Sequence, residues 1–103
     1  MNIIVLGAGL VGGPMAIDLS KNKKFKVTVA DLDAKSLKKL EKNYPVKGIR
    51  KDLSEPADVK KLVAGYDMVI NAVPGFMGFR TLKAIIEAGF TPQQRNQEFE
   101  LVS

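Results

Sequence analysis

The feature that most restricts this chain stands at its start, where an uncharged apolar run, Asn2 to Leu6, leads without a break into GAGLVGG, residues 7–13. A continuous apolar run of this length is what a strand covered on both faces requires. From Leu10 to about Lys21 the pattern turns helical, with Gly12, Ala16 and Leu19 on one stripe. The first two are small enough to let a helix lie close against a sheet. Pro14 falls in or just after the first turn, where a missing N–H costs least.

The rest of the chain repeats the alternation. Phe25 to Asp31 sets Phe25, Val27 and Val29 against Lys26, Thr28 and Ala30, which suits a second strand less deeply buried than the first. Asp33 can cap a helix running to about Asn43, with Leu37, Leu40 and Tyr44 on one face and Pro45 as its stop. Val46 to Arg50 is a weak third strand. Ser54 is the expected N-cap of the next helix, which carries Pro56 in its first turn, Val59, Leu62 and Val63 as its buried stripe, and Gly65 at its end. Met68 to Val73 is a fourth apolar strand, interrupted only by Asn71, and a last helix of about Gly78 to Ala88 is expected to bury Leu82, Ile85 and Ile86 before Gly89. Strict alternation of this kind predicts an α/β fold of Rossmann type: a parallel sheet of about four strands with helices on both faces, a truncated doubly wound architecture.

From Phe90 to Ser103 the sequence is polar, contains Pro92 and shows no periodicity. The reading is a partial nucleotide-binding domain over residues 1–89 and a polar tail over 90–103, non-native or disordered, in place of a fifth strand. Without that strand, Met68 to Val73 would lie at an open sheet edge, and two copies of the chain are expected to associate there as a homodimer or larger homo-oligomer.

Composition then removes several functions. The 103 residues include no cysteine and no histidine, so disulfides, thiol or imidazole catalysis and the usual zinc ligands are excluded, and no metal-binding residue is nominated. The formal net charge is +5, but the lysines are interleaved with carboxylates and lack an aromatic stacking platform, which reads as a solvated surface and not a nucleic-acid interface. The uncharged segment from Ile3 to Ile17 has no preceding basic residue and is too short for a bilayer-spanning helix. A cytoplasmic protein without membrane contact is the expectation.

The glycines carry the chemistry. In a strand–turn–helix context Gly7 can make the tight turn, Gly9 can let a pyrophosphate approach the backbone, and Gly12 can bring helix and strand together. The N–H groups near Leu10 and Val11 and the positive end of the helix dipole would then face the phosphates. Asp31 ends the second strand 22 residues after Gly9, where a carboxylate accepts hydrogen bonds from the adenosine ribose. It favours NAD over NADP, because a ribose phosphate would meet its charge, although nearby Lys35 leaves NADP open. The competing readings are a glycine turn that only packs and an Asp31 that belongs to the Asp33 cap. No GKS or GKT follows the glycines, which removes the phosphate-binding loop of ATP and GTP hydrolases.

NIIVLGAGLVGGPMAIDLS, then VTVADLD, then DMVINAVPGFMGFRTLKAIIEAG together resemble the N-terminal domain of the saccharopine dehydrogenase and lysine 6-dehydrogenase family. The first stretch is generic for dinucleotide binders, and NAVPGFMGF, Asn71 to Phe79, is the more specific. The resemblance implies an oxidoreductase that moves a hydride between a nicotinamide cofactor and an amino-acid substrate at a C–N bond. It also implies that Asp52 and Leu53 sit beside the adenine and that Ala72, Val73 and Pro74 line the cofactor, against the plainer readings of a helix cap and a strand end. No catalytic residue is nominated, and the substrate would be met only in a longer parent protein. A nucleotide-sensing module of the kind that gates potassium transport shares the strand, the glycines and the late aspartate, and a protein-interaction fragment using a sheet edge is the third possibility.

Overall fold

The computed structural model describes residues 1–92 and 98–101. In chain order the elements are β1 (Asn2–Leu6), α1 (Gly12–Ser20), β2 (Lys26–Asp31), α2 (Ala34–Asn43), β3 (Val46–Arg50), α3 (Pro56–Val63), β4 (Met68–Asn71), α4 (Gly75–Glu87), β5 (Thr91–Pro92) and β6 (Glu98–Leu101). They form one sheet in the order β3-β2-β1-β4-β6-β5, with every neighbouring pair parallel. The first two crossovers step outward from β1 to β3, and the third returns to the other side of β1. The strand order therefore reverses beside β1, the place where an open α/β sheet leaves a crevice at the carboxyl ends of its strands.

Successive residues of a strand point to opposite faces, and β1 shows why its apolar run is unbroken. Ile3 and Val5 pack with Ala16 of α1 and with Leu37 and Leu40 of α2. Ile4 and Leu6 pack on the other face with Val59 and Val63 of α3 and with Ala84, Ile85 and Phe90. Each face of the sheet thus has its own apolar core, as the doubly wound reading requires.

Several expectations change in detail. β2 is buried from Val27 through Ala30 and not on alternate residues only, because it lies between β1 and β3 with helices above and below. The N-cap of α3 is Glu55, with no side-chain cap, one residue after the expected Ser54. α4 begins at Gly75, a turn earlier than expected, and buries Gly78, Thr81, Ala84 and Ile85, leaving Ile86 exposed. Its face is rotated because Gly78 lets the first turn lie against the backbone: a Cβ there would stand 2.0 Å from the Val73 carbonyl oxygen.

The open edge at β4 is also corrected. Glu98–Leu101 pairs with β4 from Met68↔Glu98 to Asn71↔Leu101, so the ground for edge-to-edge association through β4 is removed. Phe90, read as the start of a polar tail, is fully buried in the α3/α4 core. Residues 93–97 and 102–103, also assigned to that tail, lie outside the described residues.

Candidate functional site

Two glycine contacts build the crevice. Gly7, at φ +102°, turns the chain off β1, and a Cβ on it would stand 3.0 Å from the Ala72 carbonyl oxygen at the end of β4. Gly12 opens α1 so close beneath this turn that a Cβ would stand 1.9 Å from the Gly7 carbonyl oxygen and 3.0 Å from the Ala72 side chain. A side chain at either position would wedge apart the ends of β1, α1 and β4. Gly9 differs, since nothing lies within 4 Å of a Cβ built there. The space above it is open for a ligand.

The start of α1 has no side-chain cap. Gly13 N–H donates to the Gly9 carbonyl at 3.0 Å and Met15 N–H to that of Val11 at 3.1 Å, while among the described residues the N–H groups of Leu10, Val11 and Gly12 find no protein acceptor. Unpaired donors at the positive end of a helix suit an anion. α4 also begins at the crevice without a side-chain cap, at Pro74.

Asp31, at the end of β2, lines the crevice on its β2 side. One of its carboxylate oxygens accepts from the N–H of Ala8 at 2.7 Å, the other from that of Asp33 at 2.8 Å. It therefore ties the glycine turn to the end of β2, and each oxygen keeps a second lone-pair direction for another donor. Asp33 is a separate cap: it accepts from the Lys35 N–H at 3.0 Å and the Ser36 hydroxyl at 2.8 Å. These two bonds, the Ser36 hydroxyl first, hold the Asp33 carboxyl below its ordinary range. The cap reading for Asp31 is thus partly right, because Asp31 orders the residue that caps α2.

Beyond β3, Asp52 is exposed and accepts from the Ser54 N–H at 2.9 Å, while Leu53 is buried beside it. The Ser54 hydroxyl and its N–H lower the Asp52 carboxyl below its usual range. At the end of β4, fully buried Asn71 donates to the Gly78 carbonyl at 2.9 Å and accepts from the Val73 N–H at 3.2 Å. Asn71 so fixes the bend over Ala72, Val73 and Pro74. In sequence it was only the polar exception in an apolar strand.

These segments surround one cleft of about 500 Å³. It is lined by Gly7, Gly9, Leu10, Val11, Asp31, Asp52, Leu53, Ala72, Val73 and Pro74, which is the full set nominated from sequence except Gly12. Gly12 serves from beneath by its contact with Gly7. Leu32 and Met77 also line the cleft and were not foreseen. Leu32 follows Asp31 directly and Met77 falls within the NAVPGFMGF run, but neither was singled out. Among the described residues no group of three or more His, Cys, Asp or Glu side chains could hold a metal ion, and no helix is long and apolar enough to cross a membrane.

A parallel sheet with a reversed strand order, a glycine turn into an uncapped helix and an acid at the end of the neighbouring strand define a Rossmann-type nucleotide-binding domain. Residues 3–91 match the model of the saccharopine dehydrogenase NADP binding domain, and the chain belongs to that family. It is 32% identical over 73 residues to the NADP⁺, L-glutamate-forming saccharopine dehydrogenase of Saccharomyces cerevisiae, covering 71% of this chain and 16% of that protein. It is 28% identical over 87 residues to the mitochondrial alpha-aminoadipic semialdehyde synthase of Mus musculus, covering 84% of this chain and 9% of that one. The solved apo structure of the yeast saccharopine dehydrogenase superimposes with a TM-score of 0.74 at 29% identity, covering 84% of this chain and 20% of the other. An oxidoreductase of Lactococcus lactis, at 21% identity, shares the fold over 100% of this chain and 48% of its own length, with a TM-score of 0.77. The chain thus spans under a fifth of the curated relatives it matches.

Proposed function

We propose that this chain binds NAD in the cleft at the carboxyl ends of β1, β2 and β4, as the cofactor-binding portion of an amino-acid oxidoreductase acting at a C–N bond. The observation that carries the reading is the convergence of four separated segments, the glycine turn, Asp31, Asp52–Leu53 and Ala72–Pro74, on one cleft. The open space over Gly9 and the free N–H groups of Leu10 and Val11 fit the pyrophosphate. Asp31 would hold the adenosine ribose, Asp52 and Leu53 would flank the adenine, and Ala72 to Pro74 would border the nicotinamide end. The cofactor would supply a hydride acceptor, while these residues bind, orient and desolvate it.

The family name and the yeast relative speak of NADP, whereas the Asp31 carboxylate favours an unphosphorylated ribose, so NAD is the tighter ligand in this proposal. Substrate and catalytic groups are assigned to other parts of an oxidoreductase, since the cleft holds no histidine, cysteine or lysine poised to move a proton. Calorimetric titration with NAD, ADP-ribose and ATP is the test. The proposal expects heat from the first two at micromolar to millimolar concentrations and little from ATP. A folded chain that gives no heat with either dinucleotide fragment overturns it.

A further inference from the structure

We infer that Arg50 is the residue that lets this site accept a phosphorylated adenosine ribose despite Asp31, so that the domain takes NADP as a second cofactor. The inference rests on the cofactor reading above and concerns selectivity within that site.

Arg50 is the last residue of β3 and the Cα partner of Asp31 in the parallel β2·β3 ladder. The chain of β3 continues under the same residue, since Lys51 N–H donates to the Asp31 carbonyl at 3.0 Å. From this position the Arg50 Nε donates to the carbonyl of Leu32 at 3.1 Å. Leu32 follows Asp31 directly and lines the cleft. The guanidinium is therefore held by one of its five donors against the backbone immediately after the ribose-binding acid, and its terminal nitrogens are left to other acceptors.

Its charge is also unspent. Among the described residues the only ion pair is Lys21 with Asp18, so neither Asp31 nor Asp52 approaches Arg50 within salt-bridge distance. Asp31 directs both oxygens at the backbone N–H groups of Ala8 and Asp33 instead. An acid turned toward the glycine turn and an unpaired arginine bonded to the backbone of cleft-lining Leu32 separate the two demands of a phosphorylated ribose. The hydroxyl can still meet the carboxylate, while the phosphate meets a planar, forked cation suited to it. An unphosphorylated ribose offers Arg50 only neutral hydroxyl acceptors, a weaker match than the phosphate.

The test measures the ratio of dissociation constants for NADP and NAD, and for 2′-phospho-ADP-ribose and ADP-ribose, by calorimetry on the whole chain. Arg50→Ala is expected to raise both ratios by about tenfold, the loss typical of one charge-assisted contact. Arg50→Lys should restore part of it. Lys47→Ala, which removes an equal charge from the same strand, should leave the ratios unchanged. The parent's preference for NAD should widen at high salt, and in Arg50→Ala it should widen less. An unchanged ratio in Arg50→Ala, or an equal change in Lys47→Ala, overturns the role of Arg50 while leaving the NAD site standing. Absence of any dinucleotide binding overturns both readings together.

Discussion

Gly9 and Gly12 lie in one motif, yet the structure gives them different physical tasks that a pair of alanine substitutions separates. At Gly12 a methyl would stand 1.9 Å from the Gly7 carbonyl oxygen, a backbone atom pinned because Gly7 N–H also donates to the Ala30 carbonyl at 2.8 Å. Ordinary contact needs about 3.4 Å, so α1 or the turn must move by roughly 1.5 Å, and forced overpacking of this kind costs about 1–3 kcal/mol, occasionally more. For a domain of this size that lowers the melting temperature by about 4–8 °C for each kcal/mol. At Gly9 nothing stands within 4 Å, so alanine should leave the melting temperature within a degree or two of the parent. The same methyl would occupy the approach of the pyrophosphate and should weaken NAD binding by about tenfold or more. Thermal melting by circular dichroism and calorimetry with NAD read the two effects independently. If Gly9→Ala melts as low as Gly12→Ala, or if Gly12→Ala melts like the parent, the division of labour within the turn is wrong.

Asp31→Ala should weaken NAD binding by about tenfold and, by freeing the N–H groups of Ala8 and Asp33, should also cost about 1–3 kcal/mol of stability in denaturant titration; a loss of binding with full stability would contradict the two bonds it accepts. Asn71→Ala strands the Gly78 carbonyl and the Val73 N–H in the core and should cost about 2–4 kcal/mol, with NAD affinity falling because Ala72 to Pro74 shift; a melting temperature equal to the parent's would exclude this role. The lowered carboxyls of Asp33 and Asp52 fix the sign of a pH effect. A depressed folded-state value means stability present above the ordinary 3.8 and lost as pH falls through and below it. The parent should therefore lose more of its melting temperature between pH 6 and pH 3 than Asp33→Asn with Asp52→Asn, which keep acceptors but do not titrate.

The fold was legible wherever local pattern and tertiary demand agree. β1 and β3 fall at the expected residues because an apolar run, or an extended stretch after Pro45, has no competing local structure. α2 is capped by Asp33 as its spacing demands. The start of α4 was not legible. Gly75 and Gly78 weaken a helical pattern on propensity, and only the approach of the Val73 carbonyl explains why a glycine stands inside a first turn. Leu82, Ile85 and Ile86 form the expected stripe, but the contact at Gly78 centres the buried face on Thr81, Ala84 and Ile85, with Leu82 half-buried at its edge and only Ile86 of the three turned out. β6 escaped notice for another reason: Glu98 to Leu101 alternates charged and apolar residues, but four residues are too few to distinguish from chance.

The site divides along the same line. Nearly all of the nominated residues reach the cleft because this kind of site is made of backbone, and backbone close approach leaves a mark in sequence as glycine, as at Gly7, Gly9 and Gly12. Side chains that act across the fold leave none. Asn71 is one polar residue in a strand, and Arg50 one cation among sixteen Lys and Arg, until β3 is placed beside β2 and β4 beside β1. The spacing of the motif therefore points to the class of ligand and brings Asp31 to it, whereas Arg50 is set beside Asp31 only by the sheet order. The saccharopine dehydrogenase family name speaks for NADP and Asp31 for NAD. An arginine paired in register with that aspartate, yet bonded to the backbone beyond it, supplies a physical route by which both statements hold for one domain.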